Sequence, residues 1–228
     1  MPLRDDLPLR YVLAVPCGQR DDAELPLVVM IHGRGADAND LADLAPLLDG
    51  PGGYRFVFPN APKPFEAYPG MAFGFTWFDG WPAEQTSLLE SRRLLLAFLE
   101  AVAARYPTPQ GKIVLSGFSQ GGVMSVEVGF RTPQPLAGII VMSGGIFEDD
   151  LPDFRARRDQ RLLLIHGTDD EVIPLLAAHR ARRLLEDHGI EPEYHELPMG
   201  HQVSEESMRI VKRFLASVFS DGASVRES

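Results

Sequence analysis

Five short segments of the chain are hydrophobic on successive positions and lie far enough apart for a helix to fit between them. Such runs are typical of strands that are buried on both faces of a sheet. The predicted strands are Leu27 to Ile31, Arg55 to Phe58, Ile113 to Leu115, Ile139 to Met142 and Leu162 to Ile165. Two further candidates are Tyr11 to Val15, expected at an antiparallel edge, and Tyr194 to Leu197.

Stretches with helical spacing of apolar residues separate these strands. They are Asn39 to Leu48, Glu84 to Arg105, Gly121 to Phe130, Leu175 to His188 and Glu205 to Phe219. Because parallel strands need crossovers of helix length, this alternation predicts a mostly parallel sheet with helices on both faces. The length of 228 residues, with no repeat or low-complexity linker, predicts one α/β domain over residues 1–219 and a flexible polar tail over 220–228.

The longest stretch without a regular pattern runs from Asn60 to Pro82, and loops of this length inside a compact domain tend to be functional. Residues 54–81 contain ten of the twenty aromatic residues of the chain. We expect the aromatic side chains of the loop to line a pocket; the alternative is a loop that only packs on itself. These residues are Phe65, Tyr68, Phe73, Phe75, Trp77, Phe78 and Trp81.

Composition and charge exclude several classes of partner. The formal charge is −10 and no basic cluster is longer than two residues, which disfavours nucleic acid and anionic lipid as ligands. The single cysteine, Cys17, excludes an internal disulfide and a zinc site of several thiolates. Residues 1–10 lack the apolar run of a signal peptide, and no run is long enough to span a membrane. These features predict a cytoplasmic protein.

The strongest chemical signal is the segment Gly117-Phe118-Ser119-Gln120-Gly121, which follows a predicted strand and precedes a predicted helix. A G-x-S-x-G match alone is weak, but the strand, turn and helix around it are the context that a nucleophile elbow requires. Small residues are needed two positions before and two after the serine because the turn is sharp. The pattern therefore predicts Ser119 as a nucleophile, raised at the carboxyl edge of the sheet.

A serine hydroxyl needs an adjacent base, and the chain has six histidines. His32 and His166 each end a buried strand, so we expect them to shape the site by hydrogen bonding. His201 follows Pro198-Met199-Gly200 after the last strand and precedes the final helix, which lets its imidazole reach the same sheet edge. We therefore predict His201 as the general base and acid.

The third member of such a site is a carboxylate between the serine and the histidine in chain order. Asp169, Asp170 and Glu171 all follow the strand that ends near Ile165, and spacing alone does not choose among them. A buried carboxylate there would hold the tautomer of the histidine and stabilise its protonated form.

Attack on an ester carbonyl also needs donors for the negative charge that forms on its oxygen. The residue after the nucleophile, Gln120, supplies one backbone N–H. The loop His32-Gly33-Arg34-Gly35 follows an early strand, where the second donor belongs, so the main-chain N–H of Arg34 is the candidate. The guanidinium of Arg34 is equally compatible with solvation and with contact to an acidic group of the substrate.

Together these motifs resemble the acyl-protein thioesterase and small carboxylesterase group of the α/β hydrolases. The similar segments are His32-Gly33-Arg34-Gly35-Ala36, Pro59-Asn60-Ala61-Pro62, Trp77-Phe78-Asp79, Gly117-Phe118-Ser119-Gln120-Gly121-Gly122, His166-Gly167 with Asp170 and Pro174, and Met199-Gly200-His201. They span most of the chain in the family's order. The resemblance implies an α/β-hydrolase fold without a large lid domain, Asp170 as the acid, and oxyanion donors at Arg34 and Gln120.

The resemblance also implies a substrate groove near Trp77 and Phe78, to which we add Phe75 from the same loop. It implies no metal or organic cofactor, and assembly as a homodimer. The predicted function is hydrolysis of small carboxylic esters or thioesters through an acyl-enzyme on Ser119. Alternatives are activity on long acyl chains, as an acyl-protein thioesterase or lysophospholipase; a peptidase or lactone-opening enzyme; and a non-catalytic binding module.

Overall fold

The computed structural model describes residues 1–68, 70–80 and 83–220. Its strands are β1 (Leu3–Arg4), β2 (Tyr11–Ala14), β3 (Leu27–Ile31), β4 (Arg55–Pro59), β5 (Lys63–Tyr68), β6 (Met71–Thr76), β7 (Ile113–Phe118), β8 (Gly138–Met142), β9 (Leu162–Gly167) and β10 (Glu193–Leu197). Its α-helices are α1 (Ala45–Leu48), α2 (Gln85–Arg105), α3 (Gln120–Gly129), α4 (Leu175–Asp187) and α5 (Glu205–Ser220). Short 3-10 turns lie at Ala42–Leu44 and Phe154–Arg157.

Eight strands form one sheet in the order β1-β2-β4-β3-β7-β8-β9-β10. The six strands from β4 to β10 in this order are parallel, whereas β2 runs antiparallel to β4. The predicted strand at residues 11–15 is therefore antiparallel, but it is not the edge because β1 pairs with its outer side. The prediction of a mostly parallel sheet is confirmed.

The pleat of the central strands divides the core between the two faces of the sheet. In β3, Val28 and Met30 pack with α1 and α5, whereas Leu27, Val29 and Ile31 pack with α2 and α3. All five residues are buried, which is why the strand reads as a continuous apolar run. Helices therefore cover both faces, as predicted.

Two predicted segments differ from the structure. Residues 39–48 contain only a 3-10 turn and the four-residue α1. Pro46 has no N–H to donate to a preceding turn, so it fits the first turn of α1 but disfavours a longer helix that begins earlier. The stretch expected to be irregular contains the antiparallel hairpin β5–β6, with register shifts near Glu66. The predicted tail lies outside the described residues except for Ser220, which ends α5.

Every parallel strand ends at the same edge of the sheet, so the segments that follow β3, β7, β8, β9 and β10 meet there. These segments carry the residues that the sequence singled out for chemistry. No helix in the described part of the chain is long and apolar enough to cross a membrane.

Candidate active site

Ser119 lies in the sharp turn between β7 and α3, with the left-handed backbone angle φ of 57°. A non-glycine residue in this region stores roughly 1–3 kcal/mol of strain, and such strain is concentrated at functional sites. The turn is closed by the approach of Gly117 to Gly121: a Cβ on Gly117 would lie 2.0 Å from the Gly121 carbonyl oxygen. Glycine is therefore required by the turn, as the sequence pattern predicts.

Three side chains from separate loops meet at this edge. His201 Nε2 lies 2.9 Å from Ser119 Oγ, and His201 Nδ1 lies 2.8 Å from Asp170 Oδ2. The Phe118 ring packs on the imidazole with a centroid separation of 4.8 Å. The carboxylate can accept only from a protonated Nδ1, which leaves Nε2 as the acceptor that faces the serine hydroxyl.

Asp170 is held as the ionised acceptor that this arrangement requires. Its side chain is completely buried, which by itself raises the pKa of a carboxyl group, but hydrogen bonds from His201 and from the N–H groups of Ile173 and Val172 outweigh the burial. The pKa of Asp170 therefore lies below its ordinary value. His166 is also buried, donates to the Ile173 carbonyl oxygen at 2.8 Å, and lies 3.5 Å from Asp170.

The proposed donors to the oxyanion are the backbone N–H groups of Arg34 and Gln120. In the described part of the protein, neither the Arg34 N–H nor the Gln120 N–H donates to a protein oxygen. Gln120 begins α3, so its N–H is one of the free donors of the first helical turn, where the helix dipole favours negative charge. The loop of Arg34 touches the elbow, because a Cβ on Gly33 would lie 3.3 Å from that of Ser119.

His32, the first residue of the oxyanion loop (residues 32–36), is buried and neutral. Its Nδ1 donates to the Gly33 carbonyl oxygen at 2.6 Å, and its Nε2 accepts from the Ala61 N–H at 3.1 Å. Burial lowers the pKa of His32 to about 4, which outweighs the bond to Gly33 that would raise it. The bonding pattern needs the neutral ring, because a protonated imidazole could not accept from Ala61.

The structure does not place Trp77 and Phe78 at a pocket wall. Both side chains are completely buried, so they offer no surface to a substrate. Trp77 Nε1 donates to the His32 carbonyl oxygen at 2.9 Å, and Phe78 packs edge-on against Phe147 with ring centroids 5.2 Å apart. Aromatic side chains in a loop at the sheet edge can either line a pocket or be buried beneath the loops of the site. The sequence pattern is the same in both cases.

The other aromatic residues of the loop lie on or beside the hairpin β5–β6. Tyr68 and Phe73 are exposed, Phe75 is half-buried, and Phe65 lies 4.6 Å from the Arg34 guanidinium. Phe75 is bonded to the oxyanion loop through both of its backbone polar groups, at 2.8 Å to Gly35 and to Ala36. Trp81 lies outside the described residues.

Sequence reasoning missed two small polar residues that hold the segment around Trp77. Ser91 of α2 donates to the Trp77 carbonyl oxygen, and the Thr76 hydroxyl donates to Gln120 Oε1 at 3.0 Å. The sequence contains one signal for the role of Ser91 in holding the Trp77 segment. Ser91 lies one turn after Ser87 on the otherwise apolar face of a predicted helix, where a polar residue needs a hydrogen-bond partner. Among the residues that the structure describes, no three His, Cys, Asp or Glu side chains come together as a metal site.

Comparison with known proteins identifies relatives along most of the chain. The sequence profile of the Phospholipase/Carboxylesterase family matches residues 14–219. Acyl-protein thioesterase 1 of Yarrowia lipolytica is 31% identical over 169 residues, which are 66% of this chain and 72% of the relative. Acyl-protein thioesterase 1 homolog 2 of Dictyostelium discoideum is 32% identical over 128 residues, or 52% of this chain, and that alignment spans only 57% of its length.

Solved structures give a similar result over nearly the whole chain. The carboxylesterase from Mesorhizobium loti has a TM-score of 0.78 and 25% identity, covering 94% of this chain and 98% of that one. Esterase PE8 has a TM-score of 0.74 and 29% identity, covering 90% of this chain and 99% of that one.

Proposed function

Since this chain belongs to the phospholipase/carboxylesterase family of α/β hydrolases, as its motifs predict, we propose that it hydrolyses carboxylic esters or thioesters through an acyl-enzyme on Ser119. The observation that carries the proposal is the position of the His201 ring, 2.9 Å from the Ser119 hydroxyl and 2.8 Å from the buried Asp170 carboxylate. A non-catalytic binding module has no need of this alignment.

In the proposed first step, Ser119 Oγ attacks the acyl carbon while its proton moves to His201 Nε2. The resulting imidazolium is stabilised by Asp170, and the oxyanion accepts hydrogen bonds from the N–H groups of Arg34 and Gln120. When the tetrahedral intermediate collapses, the bond to the leaving oxygen or sulfur breaks and the leaving group takes the proton from Nε2.

The second step repeats the chemistry with water. His201 takes a proton from a water molecule as its oxygen adds to the acyl carbon, which gives a second tetrahedral intermediate. When this intermediate collapses, the bond between the acyl carbon and Ser119 Oγ breaks. Ser119 recovers its proton from Nε2, and the carboxylic acid leaves. The balance needs only water as co-reactant.

The relatives support the choice of reaction class. They are named as acyl-protein thioesterases, a carboxylesterase and an esterase, and the likeness to the Mesorhizobium loti carboxylesterase covers 94% of this chain. Nothing in residues 1–68, 70–80 and 83–220 favours amide cleavage. We therefore propose oxygen esters and thioesters as the substrate class, with a homodimer and a cytoplasmic location remaining predictions from the sequence.

The test is to trap the acyl-enzyme. Wild-type protein is mixed with excess p-nitrophenyl acetate, quenched in acid and analysed by intact mass and peptide mapping. We expect a burst of p-nitrophenol and an added acetyl group on the peptide that contains Ser119, both absent in Ser119→Ala. Turnover that persists in Ser119→Ala, or an acetyl group on another residue that turns over, contradicts the proposal.

A fluorophosphonate probe separates the enzyme from a binding module. We expect stoichiometric labelling of Ser119 in the wild type and none in Ser119→Ala. A wild-type protein that stays unlabelled while folded, as judged by circular dichroism, would identify the binding module instead.

A further inference from the structure

The two proposed oxyanion donors lie on different segments, one after β3 and the other at the start of α3. Their N–H groups must point at one oxygen atom at the same time for either to work as described. Something must therefore fix the oxyanion loop relative to the helix. The buried side chains around Trp77 connect these two segments by hydrogen bonds.

The first contact fixes the direction of the Arg34 N–H. The Gly33 carbonyl and the Arg34 N–H belong to one planar trans peptide unit, so they point in opposite directions. Because His32 Nδ1 donates to the Gly33 carbonyl oxygen at 2.6 Å, it holds the whole unit, with the Arg34 N–H directed away from the His32 ring. The position of His32 is fixed in turn by the bond from Ala61.

The second contact joins the oxyanion loop to the segment after β6. Trp77 Nε1 donates to the His32 carbonyl oxygen at 2.9 Å, and the Trp77 and His32 rings pack at 5.5 Å. The indole is completely buried, and Ser91 holds the Trp77 carbonyl from α2. The indole of Trp77 is therefore bonded to the loop after β3, and its backbone is bonded to α2.

The third contact joins the same segment to the first residue of α3. Gln120 Oε1 accepts from the Trp77 N–H at 3.1 Å, and Gln120 Nε2 donates to the Phe78 carbonyl oxygen at 2.9 Å. The side-chain amide is thereby bonded through both of its polar atoms to consecutive residues. The backbone of the same residue carries the second oxyanion donor.

We propose that His32, Trp77 and the side chain of Gln120 are positioning residues, which together form a buried network that sets the spacing and direction of the two oxyanion donors. The inference rests on the proposed function, since it assigns these residues a part in the same reaction. None of the three side chains needs to touch the substrate.

The size of the expected effect follows from the geometry that catalysis requires. Loss of one oxyanion donor costs about 10²–10³-fold in kcat, and a displacement of about 1 Å can cost about 10²-fold. Loosening one contact of the network should therefore lower kcat by about tenfold to a hundredfold. KM should change little, because the ground-state ester makes weaker use of the donors than the oxyanion does.

The central variant is Trp77→Phe, which keeps an aromatic ring but removes the indole N–H together with part of the buried ring volume. Its matched control is Tyr106→Phe, which also removes a buried hydrogen-bonding group from the same core cluster. The Tyr106 hydroxyl contacts Tyr11 and Arg4 and no member of the network. Each protein is titrated with a fluorophosphonate, so that kcat for p-nitrophenyl butyrate is expressed per reactive Ser119, and Tm is measured alongside.

We expect Trp77→Phe to lose about tenfold or more in kcat per titrated site with KM within about twofold of the wild type. Binding of a trifluoromethyl ketone, whose adduct with serine carries an oxyanion, should weaken by a similar factor. Tyr106→Phe should lower Tm without changing either quantity. If Trp77→Phe loses stability and keeps the wild-type kcat and inhibitor affinity per site, the network is only structural and the inference is overturned.

Two further variants keep the inference testable if Trp77→Phe does not fold. Gln120→Met retains the length of the side chain and the backbone N–H but removes both amide contacts. It should also lower kcat per titrated site while KM stays nearly unchanged. His32→Asn places an amide donor near the position of Nδ1, so it should recover part of the kcat that His32→Ala loses. Equal kcat per site in these variants and in the wild type would also overturn the inference.

The result is separable from the test of the proposed function. If the wild type forms the acyl-enzyme and all network variants keep the wild-type kcat per titrated site, only the positioning role of the network is refuted. A wild-type protein that forms no acyl-enzyme on Ser119 refutes the proposed function itself.

Discussion

Asp169 and Asp170 are neighbours in the chain, yet Asp169 is exposed whereas the Asp170 side chain is completely buried and lies 2.8 Å from His201. The spacing of residues alone left these two as equal candidates for the acid. The fold separates them because the loop after β9 places the Asp170 carboxylate beneath the imidazole, where two backbone N–H groups also bind it.

Replacing each aspartate by asparagine should therefore give very different enzymes. In the proposed mechanism, Asp170→Asn removes the charge that would stabilise the imidazolium and permits the wrong tautomer, so we expect kcat to fall by roughly 10³–10⁴-fold. Asp169→Asn should change kcat by less than about twofold, in line with a surface substitution. The measurement is p-nitrophenyl butyrate hydrolysis per titrated serine, and the reverse ranking would show that the acid is misassigned.

Gly121 should resist substitution because its neighbours are main-chain atoms. A Cβ at Gly121 would lie 2.0 Å from the Ile31 carbonyl oxygen and 2.7 Å from that of His32, and neither can move without shifting the sheet edge. We expect Gly121→Ala to reduce the free energy of unfolding by about 3 kcal/mol, the upper part of the range for overpacking. Urea denaturation gives this value from the midpoint and slope.

Gly145 provides the matched control for Gly121. A Cβ at Gly145 would have Ala177 Cβ as its nearest neighbour, at 3.9 Å, and the φ of Gly145 is outside the left-handed region. Gly145→Ala should be neutral or stabilising by up to about 1 kcal/mol, since alanine reduces the entropy of the unfolded chain. Equal destabilisation by the two substitutions would contradict the steric explanation of the elbow.

The elements with a strong hydrophobic pattern could be predicted from the sequence, because a strand buried on both faces requires apolar residues at successive positions. The strand at Leu27–Ile31 agrees with its prediction at both ends, and α2 differs by one residue. The hairpin β5–β6 was not predicted, since most of its residues are exposed and Gly70 and Gly74 interrupt any alternation. Weak burial leaves little periodicity to detect.

The candidate site shows the same division. Ser119 and His201 could be chosen from local motifs because each has a distinctive neighbourhood, in an elbow or in the loop before the last helix. The structure brings both together with Asp170. The burial of Trp77 could not be predicted, because it depends on contacts with His32, Ser91 and Gln120, which are distant in sequence.

His32 should make the stability of the protein depend on pH in a recognisable way. Its pKa is lowered by burial from 6.5 to about 4, so between these values the unfolded chain binds a proton that the folded protein does not. Stability therefore falls as the pH drops below about 6.5. From about pH 7.5 to about pH 5, this single group should remove about 2 kcal/mol from the free energy of unfolding.

The difference between the wild type and His32→Asn isolates this contribution from the titration of carboxylates. Asparagine does not titrate, so we expect the stability advantage of the wild type over His32→Asn to shrink by about 2 kcal/mol over that range in urea titrations. A constant difference between the wild type and His32→Asn would mean that His32 is not the source of the dependence.

Arg34 allows its main-chain role to be separated from that of its side chain. The guanidinium is exposed and lies 4.6 Å from the Phe65 ring, a cation–π contact worth about 0.5–1 kcal/mol. Arg34→Ala keeps the N–H and removes this contact between the oxyanion loop and β5. If its whole energy acts on the transition state, kcat/KM for a neutral p-nitrophenyl ester falls by about twofold to fivefold, and we expect no larger loss. Arg10→Ala, which removes a similar cation from the Phe75 ring, is the matched control.

An ester with a terminal carboxylate tests the other role of the Arg34 side chain. If the guanidinium binds acidic groups, KM for that substrate alone should rise, by about tenfold or more in Arg34→Ala, because a charge-assisted hydrogen bond is lost. Equal losses for the acidic and the neutral ester assign the side chain to holding the hairpin. A loss beyond about a hundredfold for the neutral ester contradicts a purely main-chain role of Arg34 in the chemistry, since removal of the side chain would then cost as much as removal of an oxyanion donor.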